Sequence, residues 1–441
     1  MVSSRLLLWS AGSARPAVWL LVAGIVGILS GGGRADDGAV TGPMIGAVDE
    51  HSARVWLRPA GQAKVTLTVR DPRGKPVFEE TQEASADRDY CLHWQVGNLE
   101  AATGYSYDFA WHSGGGDAPP VGPWPFATAP PADLPGRVAL AFGSCASEKF
   151  PAVWERMAVE GVEAVLLCGD TPYIDSSDLA KNRRRHRDFL AQPGLAELIR
   201  TRPTLGTWDD HDFGANDSDA TMVDRETIRQ VFTEYRAHAS FGEEGQGIYT
   251  SFRRGPVEVF LIDARSFSQL GPSPVDPTKK TLLGPRQWAW LTRSLAASTA
   301  PFKVLATGMV WHDKPNREKD DWQTYAHERE ALFDVLAKEN IKGIVLLGGD
   351  VHVSLLLEHL PAERLGYPVF EYIVSPLHDS VIPGLVPKKD TRLRWSSTEP
   401  NVFLRMVADT TGEVPTLTSA WIKMDGTRLH EHVIRLEPGS E

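Results

Sequence analysis

Ile344-Val-Leu-Leu-Gly-Gly-Asp-Val-His352 is the stretch on which the fold of this 441-residue chain is decided. Four apolar residues run into two glycines, then a carboxylate, then a histidine two places on. An apolar run of that length, bounded by Gly-Gly, reads as a buried strand that ends in a tight turn. The turn presents Asp350 and His352 just past the strand's C-terminal end, the edge at which open α/β sheets bind ligands. Asp-x-His in that place suits a metal, because carboxylate is a hard ligand and neutral imidazole the commonest nitrogen ligand. A loop carboxylate beside a hydrogen-bonded histidine is the plain alternative. A second stretch has the same form, Val165-Leu-Leu-Cys-Gly-Asp170. Two such strands, far apart in sequence, bring two carboxylates to one edge of a sheet.

A third turn is Trp208-Asp-Asp-His-Asp-Phe-Gly-Ala-Asn216-Asp217. Adjacent Asp209 and Asp210, with His211 and Asp212, repel unless a cation neutralises them. Their plain alternative is a capped surface turn, where Asp and Asn are common. Four loops thus each follow an apolar strand: Gly143-Ser-Cys145, Gly169-Asp-Thr-Pro-Tyr173, Asp209-Asp-His-Asp with Asn216, and Gly349-Asp-Val-His352. Their ligand types are thiolate, phenolate, carboxylate, amide oxygen and imidazole. Thiolate and phenolate favour a redox-capable metal such as ferric iron, whereas carboxylate and amide oxygens suit calcium or another hard divalent ion.

The rest of the chain sets the frame. Formal charge is −11, so the basic footprint of a general nucleic-acid binder is missing and no stable nucleic-acid binding is expected. Residues 1–35 read as an export signal. Arg5 and Arg15 are basic, Ala17–Ser30 is apolar, and Gly33-Arg34-Ala35 offers small residues for cleavage before Asp36. The apolar run is shorter than the roughly 20 residues of a spanning helix, which favours cleavage over an anchor. The mature protein is therefore expected to be secreted or periplasmic, with no membrane span. Cysteines number three, Cys91, Cys145 and Cys168. Cys168 reads as a buried small hydrophobe and Cys145 as the more exposed, with a Cys145–Cys168 disulfide as the rival reading.

Residues 36–130 alternate in short runs between turns: Ser52–Arg58, Ala63–Arg70, Tyr90–Val96, Tyr105–Trp111 and Trp124–Thr128. This spacing predicts a small β-sandwich of fibronectin type III kind, with Trp56 and Trp94 in its core. After a Pro-rich linker, residues 131–441 alternate strand and helix, which means α/β. Helical spacing covers Leu179–Ile199, and strands are expected at Phe302–Val310, Phe370–Val374, Val402–Ala408, Thr418–Met424 and Leu429–Leu436. The basic run Lys181–Arg187 reads as a solvated helix face, or else as a positive rim for an anionic substrate.

The four turns, in this order, resemble those of the alkaline phosphatase D (PhoD-like) family of metallophosphatases. The resemblance extends to the sandwich and to the helix start Leu283-Gly-Pro-Arg-Gln-Trp-Ala-Trp-Leu291. It implies a four-layered α/β/β/α fold. It also implies iron (Fe3+) and calcium held by Cys145, Asp170, Tyr173, Asn216, Asp350 and His352, joined by Asp209 or Asp210. Family members are often exported through a twin-arginine signal, which residues 1–35 do not contain. The expected activity is hydrolysis of small-molecule or lipid phosphate esters, mono- or diesters, with His211 orienting substrate or protonating the leaving group. A phospholipase D-like or other phosphodiesterase is the alternative within that class. A surface-binding protein with a structural metal site is the alternative outside it.

Overall fold

The computed structural model describes residues 39–114, 119–150, 152–360 and 362–437, all within one compact unit. The export-signal reading of residues 1–35 lies outside the described residues. Among the described residues, no helix is long and apolar enough to cross a membrane.

Seven strands form the N-terminal part: β1 (Thr41–Val48), β2 (Ala53–Arg58), β3 (Lys64–Arg70), β4 (Pro76–Glu83), β5 (Leu92–Val96), β6 (Gly104–Ser113) and β7 (Trp124–Ala127). They make two sheets, β1-β2-β5 and β4-β3-β6-β7. Val55, Leu67, Trp94, Tyr107 and Phe109 fill the space between them. β1 and β4 were not expected from the sequence. β1 opens on Thr-Gly-Pro, a poor strand signal. β4 is a charged edge strand, largely exposed on both faces, so its residues do not alternate.

Then come β8 (Arg137–Gly143), α1 (Ala152–Val159), β9 (Ala164–Cys168), α2 (Leu179–Leu190), α3 (Pro193–Thr201), β10 (Thr204–Thr207), α4 (Asp210–Phe213) and α5 (Arg225–Tyr235). β11 (Thr250–Arg254) and β12 (Val257–Leu261) form an antiparallel hairpin. They are followed by α6 (Gly284–Ala297), β13 (Phe302–Ala306), α7 (Ala326–Lys338), β14 (Ile344–Gly348), β15 (Ser354–Leu360), α8 (Ala362–Leu365), β16 (Val369–Ile373) and β17 (Leu393–Ser397). The last strands are β18 (Val402–Asp409), β19 (Thr416–Lys423) and β20 (Arg428–Arg435). Residues Leu179–Ile199 make two helices, not one, because Pro193 cannot continue α2. β13 stops at Ala306, four residues short of the expected end, since Gly308 must turn against the Asp209 side chain.

Two sheets stack face to face, β10-β9-β8-β18-β19-β20 against β11-β12-β13-β14-β16-β15-β17. Leu140, Phe142, Leu166, Val259, Val304, Val345, Leu347 and Tyr372 interleave between them. Residues of α1, α2, α3 and α5 cover the outer face of the first sheet, and those of α6 and α7 the outer face of the second. This is the four-layered α/β/β/α sandwich. Strands β8, β9 and β10 are parallel, as are β12, β13, β14 and β16, so their C-terminal ends share one rim.

The sandwich is sewn to this body. Trp56 is buried there, not in the sandwich core, and its indole N–H donates to the Glu234 carbonyl at 2.8 Å. Ala47 N–H donates to the Ala237 carbonyl at 2.8 Å. A methyl group on Gly46 would lie 1.9 Å from that same carbonyl oxygen, so only glycine allows the approach.

Candidate metal centre

The rim gathers all four predicted loops. Gly349 explains how closely: a Cβ there would stand 2.6 Å from Ser144 and 2.7 Å from the Cys168 carbonyl. Gly169, at φ +87, lies equally tight against Asp209. The second glycine of Gly-Gly-Asp lets loops from opposite sheets touch, and the glycine of Gly-Asp lets the loops after the neighbouring strands β9 and β10 do so. Cys145, Asp170, Asp350 and His352 all adopt left-handed backbone, at φ 53, 54, 65 and 51. Non-glycine residues there are strained by about 1–3 kcal/mol each, and such strain collects at functional sites. Backbone hydrogen bonds hold the loops in place: Cys145 N–H to Gly169 O, Ala146 N–H to Asp170 O, and His378 N–H to Cys145 O.

One group of side chains comprises Cys145, Asp170, Tyr173 and His352. The Cys145 sulfur lies 3.5 Å from Asp170 Oδ2 and accepts from Ser375 Oγ at 3.1 Å. Tyr173 Oη is 2.8 Å from His352 Nε2 and 3.2 Å from His378 Nε2. Cys145 is fully buried and Cys168 pairs with nothing, so the expected exposure of Cys145 and the rival disulfide both fail. Cys145 lies two residues past β8, beneath the other loops, which is why a position just after a strand end alone misjudged it.

A second group centres on Asp210. Its carboxylate comes within ligand-sharing distance of Asp170 and His211, of Asp209 and Asp350, and of Asp217 and Asp320. Asp209 is differently placed. Its Oδ1 accepts from Arg265 Nε at 2.8 Å, and the guanidinium also grips Asp320. Lys314 Nζ stands 2.5 Å from Asp350 Oδ2 and 3.5 Å from Asp320 Oδ2. Asn216 is exposed and lines, with Asp170, His211, Asp217, Asp350 and His352, a hollow of about 350 Å³. His211 also lines it. Its Nδ1 is 2.5 Å from Asp175 Oδ1 and its ring lies against Tyr173. Burial works against charge on His211, but Asp210 and Asp175 outweigh it and hold its pKa above the usual histidine range.

Arg265, Lys314, Asp320, Asp175 and His378 were missed in the sequence. Two carried a readable signal. Asp263-Ala-Arg265 and Ser375-Pro-Leu-His378 each follow an apolar strand, as the four predicted loops do. Lys181–Arg187 is neither a bare face nor a free rim: Arg183 pairs with Glu234, Arg187 with Asp89, and Arg185 donates to the Tyr173 carbonyl at 2.9 Å.

The donor set fits metal ions. Asp170 Oδ1, Asp209 Oδ2 and His352 Nδ1 are buried without a hydrogen-bond partner, an expensive state for such atoms. Burial pushes Asp212 and Asp350 up to about 7, and Asp170 and Asp209 well above the usual carboxylate range. Carboxylates so crowded must either take protons or share cations.

Comparison with known proteins agrees. A family profile described as PhoD-like phosphatase matches residues 140–404. Alkaline phosphatase D of Bacillus subtilis (strain 168) is 25% identical over 348 residues, 67% of this chain. The match spans 59% of that relative's length. A solved structure of PhoD superposes with a TM-score of 0.71 at 20% identity, covering 88% of this chain and 91% of that one. A purple acid phosphatase from yellow lupin (Lupinus luteus) seeds gives 0.68 at 12% identity, covering 90% and 74%. The two solved structures share this fold.

Metal and proton compete for the same oxygens, and the sign of the competition is testable. At Asp212 and Asp350 the metal-free native protein binds more protons than the unfolded chain between the ordinary carboxylate pKa of 3.8 and about 7. Their contribution to stability is therefore full below that window and is lost as pH rises through it. Buried histidines away from the rim, such as His93 and His238, act in the opposite sense, so the metal is what isolates the carboxylates. The rise in melting temperature that added divalent cation gives chelator-treated protein should grow from pH 4 to about 7. A cation effect that stays flat or shrinks across this window would contradict the assignment.

Proposed function

The chain belongs to the PhoD-like phosphatase family, and from that premise we propose that it is an exported, metal-dependent phosphoesterase acting on small-molecule or lipid phosphate esters. One observation carries the reading. Six carboxylates (Asp170, Asp209, Asp210, Asp212, Asp320 and Asp350) crowd one rim against three cations, Arg236, Arg265 and Lys314. The deficit of positive charge opens onto a solvent-accessible hollow. A purely structural metal site would be closed, so the surface-binding alternative is disfavoured.

Cys145, Asp170, Tyr173 and His352 would hold one ion, and the family resemblance makes it ferric iron. Asp210 and Asp350, with Asn216 and the free oxygen of Asp209, would hold a harder divalent ion such as calcium. Asp210, not Asp209, is the principal ligand of the double-aspartate turn, because Arg265 already neutralises Asp209. When bound, these ions supply positive charge for the phosphoryl oxygens and acidity for water. The chain's own groups do the rest. The ester phosphorus would lie in the hollow that Asp170, His211, Asp350 and His352 line. Asp175 holds His211 Nδ1, so Nε2 is left to carry a proton. As the water oxygen bonds to phosphorus and the P–O bond to the leaving group breaks, His211 protonates the departing oxygen.

Metal-loaded protein should hydrolyse p-nitrophenyl phosphate, and Asp350→Ala or His352→Ala should lower kcat by at least about a thousandfold while leaving the melting curve cooperative. Activity of either variant within a few-fold of wild type would remove the reaction from this rim.

The pH profile tests His211. A general acid acts protonated, so the rate falls as pH rises through its pKa. Asp175→Asn deletes a charge that raises that pKa, and the alkaline limb should move down by about one pH unit. An unmoved limb would exclude His211 as the acid.

Colour tests the iron. Phenolate on ferric iron absorbs visible light, so iron-loaded protein should be violet to pink and Tyr173→Phe should bleach it. A variant that keeps its band would take Tyr173 off the metal and leave the Cys145 thiolate as the source.

A further inference from the structure

A second hollow, of about 680 Å³, lies beside the first. Asp313, Pro315, Lys388, Lys389, Asp390 and Arg392 are among its walls. The 3-10 turn Pro383–Leu385 is the ridge between the two: Gly384 lines both, Pro383 faces the second, and Leu385 the first. The ridge is fixed to the metal loops, because Ile382 N–H donates to the His352 carbonyl at 3.2 Å. Lys388 lies six positions on from Ile382, a span of at most roughly 20 Å even if fully extended.

The charges in this hollow are unevenly satisfied. Arg392 is clamped by both oxygens of Asp390, at 2.7 and 3.0 Å, which cancels that pair. Lys388 and Lys389 are exposed, and no carboxylate among the described residues pairs with either. Asp313, across the groove, is the one remaining acid of its walls. On a chain of net charge −11, two adjacent unpaired ammonium groups beside a phosphate-ester centre have a chemical consequence. The first hollow carries the acids Asp217 and Glu318 at its edge, which repel a polyanion. The second offers such a substrate an attractive wall beside the metal rim, since ammonium groups bind phosphate as point charges.

We propose that this groove is a second anion subsite: Lys388 and Lys389 receive a further phosphate of the substrate while the scissile phosphorus lies at the metal rim. This rests on the phosphoesterase reading and sharpens its substrate class to organic phosphates bearing two or more phosphates along one chain. Lys388 and Lys389 are specificity-determining residues that touch neither the reacting atoms nor the metal ligands.

The experiment compares alkane-diol bisphosphates of increasing length with the matching alkyl monophosphates, on metal-loaded enzyme, by released phosphate. Wild type should favour the bisphosphate by about tenfold in kcat/KM at one or two chain lengths, the effect of two exposed charge pairs. Lys388→Ala combined with Lys389→Ala should erase that preference, mainly through KM, and leave the monophosphate values unchanged. Replacing both by arginine should keep it. Wild type without a preference at any length, or a double alanine variant that retains it, overturns the subsite while the phosphoesterase reading stands. Hydrolysis of neither class overturns both.

Discussion

Burial of like charge is the constraint on which this structure turns. Arg265 is fully buried and binds Asp209 and Asp320 together. Lys314, equally enclosed, joins Asp320 to Asp350. Loops from three different strands are thereby bound through two cations. Each ion costs several kcal/mol to remove from water, and that cost is offset only when partners are close and well oriented. The pairing is incomplete by design of the donor set. Asp170 and Asp210 lie beyond reach of a full counter-ion, since Asp210 has only Arg265 at 3.9 Å and two backbone N–H groups. The rim is therefore a half-neutralised charge, stable as built only with protons or cations added.

Holding such a charge requires a backbone that does not relax. Four of its residues are in left-handed conformation, and three glycines, 169, 308 and 349, let strands and loops approach closer than any side chain permits. The rigidity comes from the sheets. β9 and β14 are buried at every position, and each runs straight into its loop. Loops on such strands have little freedom to spread when their carboxylates repel. This is the usual division between a rigid scaffold and functional turns.

That division also explains what the sequence revealed. Apolar runs ending in Gly-Asp or Gly-Gly-Asp mark both the strand and the ligand, so β9, β14 and their loops were plain to read. The stacking of two sheets came through family resemblance, because periodicity does not say which strands share a sheet. The compensating cations were invisible for a different reason. Arg265 and Lys314 lie in irregular segments, and a lone basic residue in a loop reads as solvated until its distant carboxylates are placed around it. The choice between Asp209 and Asp210 was equally out of reach, since it depends on where Arg265 points. Asn216 shows the reverse case: it was named through resemblance, whereas the contacts with Asp210 are made by its neighbour Asp217.

The sandwich acquires a role from the same logic. Its Trp56 and His93 both hydrogen-bond the Glu234 carbonyl, and its Ala47 bonds the Ala237 carbonyl, three places further on. Between these anchors lies Arg236, fully buried, whose guanidinium donates to the Thr171 carbonyl and lies near enough to Asp212 to favour its ionised form. Thr171 follows Asp170 directly, and Tyr173 is two residues on. A path of packed groups thus runs from β1 and β2 through the end of α5 to the loop that carries two of the proposed ligands. The N-terminal sheets are accordingly bonded on both sides of Arg236, the residue whose guanidinium binds the Thr171 carbonyl of the second loop and faces Asp212.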